Sequence, residues 1–245
     1  SSTAHLLLFQ DLLGFRPPGD VFPIVIQLGA ILSVVAVYWT KFWNVLIGLP
    51  SDPRARQFAL GVVVAFLPAA VVGVLLHDFI KDVLFAPGVA PYVIAATMIG
   101  GGILILVFER IVPRPVYRDG DHLPVWKCLE IGCCQVVAIV PGVSRSGATI
   151  LGAELLGVSR EAAAAFTFYL AVPTMLGASV LDLYKNRAIL NFDAGVTIAV
   201  GFVVSFLVAL IVVKTFIGFV SEYGLKPFGW YRIAAGLVIL AALWI

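Results

Sequence analysis

Six apolar stretches divide this chain: Pro23–Trp39, Phe58–Leu76, Tyr92–Phe108, Ala162–Leu181, Val196–Ile217 and Tyr231–Ile245. A helix needs about 20 predominantly apolar residues to cross the hydrocarbon core of a bilayer, within a range of about 17–25. The first five stretches reach that length and the last is short. Inside lipid a backbone must satisfy its own polar groups, so stretches of this kind are expected to be helices. Hydrophobic residues make up 61% of the 245 and charged residues 12%. A soluble domain runs nearer half apolar and a quarter charged, so the expected fold is an all-α polytopic membrane protein. It forms a single integral membrane domain over residues 1–245 with about six transmembrane helices. A net charge of +2 without a basic stripe excludes nucleic acid as a partner. Membrane lipids take that place.

Two further apolar stretches offer no unbroken run long enough to span. One is Thr3–Gly14 and the other is Cys128–Gly157, which is interrupted at Pro141-Gly142. Irregular backbone at membrane depth is tolerated only where it faces protein or a water-filled cavity. Each stretch is therefore expected to be a re-entrant helix–loop–helix hairpin, with a single kinked span as the competing reading of the second. Ser1-Ser2-Thr3-Ala4 precedes a run ending Leu12-Leu13-Gly14, and Ser144-Arg145-Ser146-Gly147 precedes one ending Leu155-Leu156-Gly157 at the same offset. A spanning stretch follows each copy. The chain thus reads as two repeats, about 1–108 and about 126–245, separated by an odd number of spans and therefore inverted. Such folds place their binding site near the midplane, where the broken helices meet.

Basic residues orient this arrangement. Lys41, Arg54, Arg56, Arg110, Arg114, Arg118, Lys127, Arg160 and Lys226 fall on one side, against Arg16, Lys81, Lys185 and Arg187 on the other. The richer side is expected to be cytoplasmic. No basic segment precedes an apolar run at the start, so no signal peptide is expected. Cys128, Cys133 and Cys134 match no zinc or disulfide spacing and read as packing residues. Gly100-Gly101-Gly102 reads as a site of close helix packing.

The polar residues of the two short stretches carry the chemistry. Pro141-Gly142-Val143-Ser144-Arg145-Ser146-Gly147-Ala148-Thr149 sets an arginine among three hydroxyls and two glycines. An arginine at membrane depth costs roughly 2.5–3.5 kcal/mol on insertion scales, and it needs something to hold. Gly142 and Gly147 permit close approach of backbone amides. A helix start near Ser146 or Gly147 offers free N–H groups and the positive end of the dipole, and Arg145 adds a bidentate fork. With Ser144, Ser146 and Thr149 as further donors, this tip is expected to bind an anion, most simply a phosphate. The facing tip offers Ser1, Ser2, Thr3 and His5; a histidine beside serines can act as general acid, general base or phosphoryl acceptor. Gln27, within the first span, and Gln135, just before the second tip, are each expected to line a cavity.

The Pro141–Thr149 segment resembles the signature of the bacterial undecaprenyl-diphosphate phosphatases, the bacitracin-resistance family. Ser1-Ser2-Thr3-Ala4-His5 is similar to the end of that family's other motif, with Ala4 in place of a glycine. Gln27–Leu32, Leu156–Ala163 and Ala171-Val172-Pro173 also fit. The resemblance covers essentially the whole chain. It implies hydrolysis of a C55 polyprenyl diphosphate to the monophosphate and inorganic phosphate. It also implies a multi-pass protein of the bacterial inner membrane whose site opens to the outer face, and a role in recycling the lipid carrier of cell-wall synthesis. Catalysis would fall to Ser2, His5 and Arg145. The diphosphate would be held by Ser1, Thr3, Gly142, Ser144, Ser146, Gly147, Thr149, Gln27 and Gln135. The family uses a divalent cation, magnesium or calcium, on two acidic residues that precede the serines. Those positions lie upstream of Ser1, so no metal ligand is expected within this chain, and a chain without them is expected to bind substrate with its turnover in question.

Ser2, His5 and a water molecule all stand as the attacking group. The alternative function is a polyprenyl-phosphate flippase with an anion site at the midplane, because inverted repeats with broken helices are also built into carriers. A second copy of the chain is a candidate partner beside the lipid.

Overall fold

A computed structural model of the chain describes residues 2, 4–6, 14, 21–76, 79–86, 88–185 and 195–243. Apolar side chains and good helix formers dominate those residues, and the described secondary structure is helical apart from one isolated bridge between Tyr117 and Val158. The helices are α1 (Val21–Val37), α2 (Trp39–Gly48), α3 (Pro53–Leu75), α4 (Ala90–Phe108), α5 (Val125–Val136), α6 (Arg145–Leu155), α7 (Arg160–Lys185), α8 (Gly195–Tyr223) and α9 (Lys226–Ala242). The run Thr3–Gly14 lies mostly outside the described residues. Ser1 and Thr3 fall there too.

Among the described residues, α3, α4, α7 and α8 are each long and apolar enough to cross a membrane. α1 and α2 make a fifth candidate if they form one span bent by 73°. α9, the short last stretch, has 17 residues. The helix ends follow local chemistry. Asp52 accepts a hydrogen bond from the Arg54 amide at the start of α3, with Pro53 in the first helical position, where its missing N–H is no loss. Most large side chains of α8 are exposed, as expected of a helix whose solvent is lipid.

α5 and α6 have 12 and 11 residues. At about 1.5 Å rise per residue neither can cross a bilayer. They fold back on one another: a Cβ added to Gly152 on α6 would lie 2.5 Å from the Cβ of Cys134 on α5. Those residues are equidistant in sequence from Val143 at the tip, which is the register of a hairpin. The Pro141-Gly142 break therefore produces a reversal of direction where a kinked span was the competing expectation.

Packing joins the two halves of the chain. α1 packs on α8 and α7, α3 packs on α5 and α7, and α4 packs on α9. The α4–α9 contact is close because Gly102 abuts the Gly229 carbonyl and Gly101 abuts the Arg232 guanidinium; Gly100 faces open space. The main core gathers α3, α5, α6 and α7 around Ile131, Ile150, Ala163, Phe166 and Leu170. At the base of the hairpin the Val116 and Tyr117 amides donate to the Gly157 carbonyl and the Ser159 amide donates to the Tyr117 carbonyl. Beside them Arg160 bonds Glu154 at 2.6 Å and Glu109 at 3.3 Å. Glu109 also accepts from the Leu225 amide. This buried cluster ties the ends of α4 and α6 to the starts of α7 and α9.

Candidate functional site

The hairpin tip is a turn followed by a helix start. Gly142 has φ +85°, a conformation that glycine adopts without the strain a side chain brings. A Cβ there would lie 2.1 Å from Thr97 Oγ1 and 2.9 Å from Ile94 Cα. The close approach at Gly142 is thus to α4, whereas the sequence suggested an approach to a ligand. Thr97 secures the turn by donating its hydroxyl to the Pro141 carbonyl at 2.7 Å.

Ser144 is the N-cap of α6, and its Oγ accepts from the Gly147 amide at 3.1 Å. Ser146 Oγ lies 3.3 Å from it. The cap therefore uses the Gly147 amide internally. The amides of Ser144, Arg145 and Ser146 find no acceptor among the described residues. These are the orphan donors of a helix start, directed along the positive end of its dipole. Arg145 is half-buried. Among the described residues its guanidinium has no hydrogen-bond acceptor and no carboxylate within ion-pair distance.

Two of the predicted donors are arranged differently. Thr149 is fully buried and donates its hydroxyl to the Arg145 carbonyl at 2.8 Å. It braces the first turn of α6. Gln135 is 2% exposed and donates to Thr174 Oγ1 of α7 at 3.4 Å. It links hairpin to span. Glu130 pairs with Lys127 at 2.7 Å at the hairpin's outer edge, away from the tip.

The other tip is described at Ser2 and residues 4–6. Ser2 is exposed and Ala4 is buried with Ile94, Ala95, Met98 and Ile239. His5 is half-buried; its Nε2 makes a 2.6 Å hydrogen bond with Tyr231 Oη, and the rings stack with centroids 5.7 Å apart. Ser2, His5 and Gln27 share the wall of an open cavity of about 320 Å³ with Met175 and Ser205. Its surface is mostly apolar. Gln27 thus lies on the wall of this cavity. Arg145 is not part of that wall. The two tips are joined through protein: Ala4 and Gly142 both meet α4 at Ile94, and Thr174 beside Met175 holds Gln135.

Three residues of this region were not singled out in the sequence. Thr97 and Tyr231 are ordinary members of apolar stretches. Arg232 is a second intramembrane-type arginine, 5% exposed, with Nη2 donating to the Thr97 carbonyl at 2.8 Å and the Gly142 carbonyl at 3.2 Å. An arginine inside an apolar stretch is costly wherever it sits, which is the signal for Arg232, but it stands next to the end of its stretch.

The arrangement can hold an anion. Around the α6 start the described residues offer the Arg145 guanidinium, the Ser144, Arg145 and Ser146 amides and serine hydroxyls as donors, and no carboxylate. No group of three or more His, Cys, Asp and Glu suited to a metal occurs among the described residues. The described residues of the two tips include no carboxylate, so they do not fit a divalent cation by themselves.

The chain matches the profile of the family "Bacitracin resistance protein BacA" over residues 1–238. Curated relatives align along nearly its whole length. Undecaprenyl-diphosphatase 1 of Agrobacterium fabrum is 50% identical over 243 residues, covering 99% of this chain and 90% of the relative. Undecaprenyl-diphosphatase 2 of Paramagnetospirillum magneticum is 53% identical over 237 residues, covering 96% and 89%. Undecaprenyl-diphosphatase of Paracoccus denitrificans is 49% identical over 243 residues, covering 99% and 90%.

Proposed function

This chain belongs to the bacitracin resistance protein BacA family, and from that premise we propose that it is a membrane phosphatase that hydrolyses undecaprenyl diphosphate to undecaprenyl phosphate and inorganic phosphate. The observation that carries the reading is the half-buried guanidinium of Arg145 at a capped helix start where the Ser144, Arg145 and Ser146 amides have no acceptor among the described residues, in a chain half identical to named undecaprenyl-diphosphatases.

The diphosphate binds at the start of α6. The Arg145 fork and the amides of Ser144, Arg145 and Ser146 meet its oxygens, with the Ser144 and Ser146 hydroxyls beside them. These donors are in place before substrate arrives, so charge developing at the transferred phosphorus is stabilised without reorganisation. Ser2 and His5 approach from the other tip, His5 held by Tyr231. His5 supplies acid–base or nucleophilic help, and Ser2 positions or attacks. The apolar walls beside Ser2 and His5 suit the first isoprene units, and the rest of the tail lies in lipid. Thr149 and Gln135 hold the hairpin's shape. Ser1 and Thr3, outside the described residues, belong to the same tip in this proposal.

A divalent cation, if bound, would supply charge neutralisation; the described residues of the two tips offer no carboxylate to hold it, and no step above depends on it. The protein lies in the bacterial inner membrane with its basic side in the cytoplasm, and the site opens outward. The two-repeat reading, about 1–108 and about 126–245, is supported by helix pairing: exchanging the halves maps the α1–α8 contact onto α7–α3 and returns α4–α9 and α1–α7 to themselves.

The test is phosphate release from a short polyprenyl diphosphate by the full-length protein, with lipid movement across vesicles measured in parallel. The phosphatase reading expects release that Arg145→Ala abolishes. Hydrolysis intact in Arg145→Ala, with lipid movement lost, would establish the flippase alternative.

A further inference from the structure

Consecutive residues of α9 bond the two tips. Tyr231 Oη meets His5 Nε2 at 2.6 Å, and Arg232 Nη2 donates to the Gly142 carbonyl at 3.2 Å. The same Nη2 donates to the Thr97 carbonyl at 2.8 Å. The remaining donors of Arg232, on Nε and Nη1, are sealed from solvent and bond to nothing among the described residues. No carboxylate lies within ion-pair distance of it there.

Packing does not account for this side chain. A buried cation without a counter-charge is strongly unfavourable, and an apolar residue of similar volume would fill the space more stably. The fold nonetheless makes room for it: a Cβ on Gly101 would lie 2.5 Å from Nη2. The charge sits behind Gly142, and the free amides of the α6 start follow within the next turn of chain. In a low-dielectric interior an uncompensated positive charge acts over several ångströms. An anion bound in front of the tip would be its counter-charge.

We propose that Arg232 is a positioning residue of the phosphatase reaction: it holds the Gly142 carbonyl so that the tip presents its amides to the diphosphate, and it places a second positive charge behind them. Tyr231 holds His5 from the same helix, so α9 sets the two tips relative to one another. The inference rests on the phosphatase reading of the site and adds to it residues that touch no substrate.

The experiment uses the full-length protein in detergent, with farnesyl diphosphate as substrate and inorganic diphosphate as the binding probe. Arg232→Gln is expected to lower kcat by about thirtyfold or more, and to raise KM and weaken inorganic diphosphate by about tenfold each. Arg232→Lys keeps the charge and loses the fork, so it should restore diphosphate affinity to within about threefold while kcat stays about five- to tenfold low. A kcat in Arg232→Gln within twofold of wild type per folded protein overturns the proposal. If Arg232→Gln does not fold, Arg232→Lys decides, and wild-type kcat in that variant overturns it. Wild-type protein that binds diphosphate but releases no phosphate refutes the phosphatase reading, whereas the weakened diphosphate binding of Arg232→Gln still bears on Arg232 alone.

Discussion

Tyr231 Oη and His5 Nε2 lie 2.6 Å apart although 226 positions separate them in sequence. A helix near the end of the chain thus orients a histidine near its start. The pair is exposed, so the bond adds little stability, of order 0.5–1 kcal/mol. Its consequence is orientational. Tyr231→Phe keeps the ring stack and removes only the hydroxyl. Phosphate release should fall about three- to tenfold, with the unfolding midpoint in detergent unchanged within about 2 °C. A wild-type rate would show that the orientation of His5 does not depend on the Tyr231 hydroxyl.

Arg145 offers a planar fork beside free amides. Arg145→Ala removes charge and fork together, and a rate loss of at least a hundredfold is expected, about 2.7 kcal/mol or more of transition-state stabilisation. Arg145→Lys keeps a point charge without the bidentate geometry and should recover only part of the loss. Steady-state kinetics on both variants check this. Equal rates for lysine and arginine would mean that charge alone matters.

Gly142 and Gly100 make a matched pair of tests. Gly142 has φ +85° and a Cβ there would collide with Thr97 and Ile94, so Gly142→Ala should destabilise the protein by about 2 kcal/mol or more. Gly100→Ala adds a methyl group in open space within a helix and should be neutral or stabilising by up to about 1 kcal/mol. Thermal unfolding in one detergent compares them. Equal midpoints would mean that the tip does not pack on α4 as described.

Much of this was legible in the sequence. The spanning helices follow from length and apolar content, and the hairpin follows from Pro141-Gly142 dividing an apolar stretch into halves too short to cross. Other residues were ambiguous for physical reasons. Thr149 looks like a ligand donor by proximity, but a threonine hydroxyl inside a helix can bond the carbonyl four residues back, and it does. Gly142 signals close approach without saying to what; the neighbour is α4. Arg232 carries little signal of its own, because an arginine near the end of an apolar stretch is expected to reach for the interface. Only the tertiary fold places it 5% exposed behind the tip.

The Glu109–Arg160–Glu154 cluster predicts a stability effect away from the tips. Both carboxylate side chains are 2% exposed, and Glu154 Oε2 has no further partner. Arg160→Met would leave two carboxylates buried without a counter-charge, at a cost of about 3–5 kcal/mol. The unfolding midpoint should drop by several degrees. Adding Glu154→Gln should recover part of it. An unchanged midpoint in Arg160→Met would show that the cluster is solvated.

Chelation separates binding from turnover. The described residues of the two tips are donors, so inorganic diphosphate should bind residues 1–245 with the same affinity, within about threefold, in EDTA and in magnesium. Calorimetric titration measures both. A tenfold loss on chelation would place a cation site within this chain.

The central claim is that the Arg145 tip and the His5 tip hold one diphosphate between them. A structure of the full-length protein with diphosphate bound tests it most directly. The account predicts a single anion whose oxygens contact the Arg145 guanidinium and the amides of the α6 start, with Ser2 or His5 within hydrogen-bond reach of the same phosphorus group. An anion on Arg145 with no group from Ser2 or His5 near it, or one bound only in the cavity beside Gln27, would contradict it.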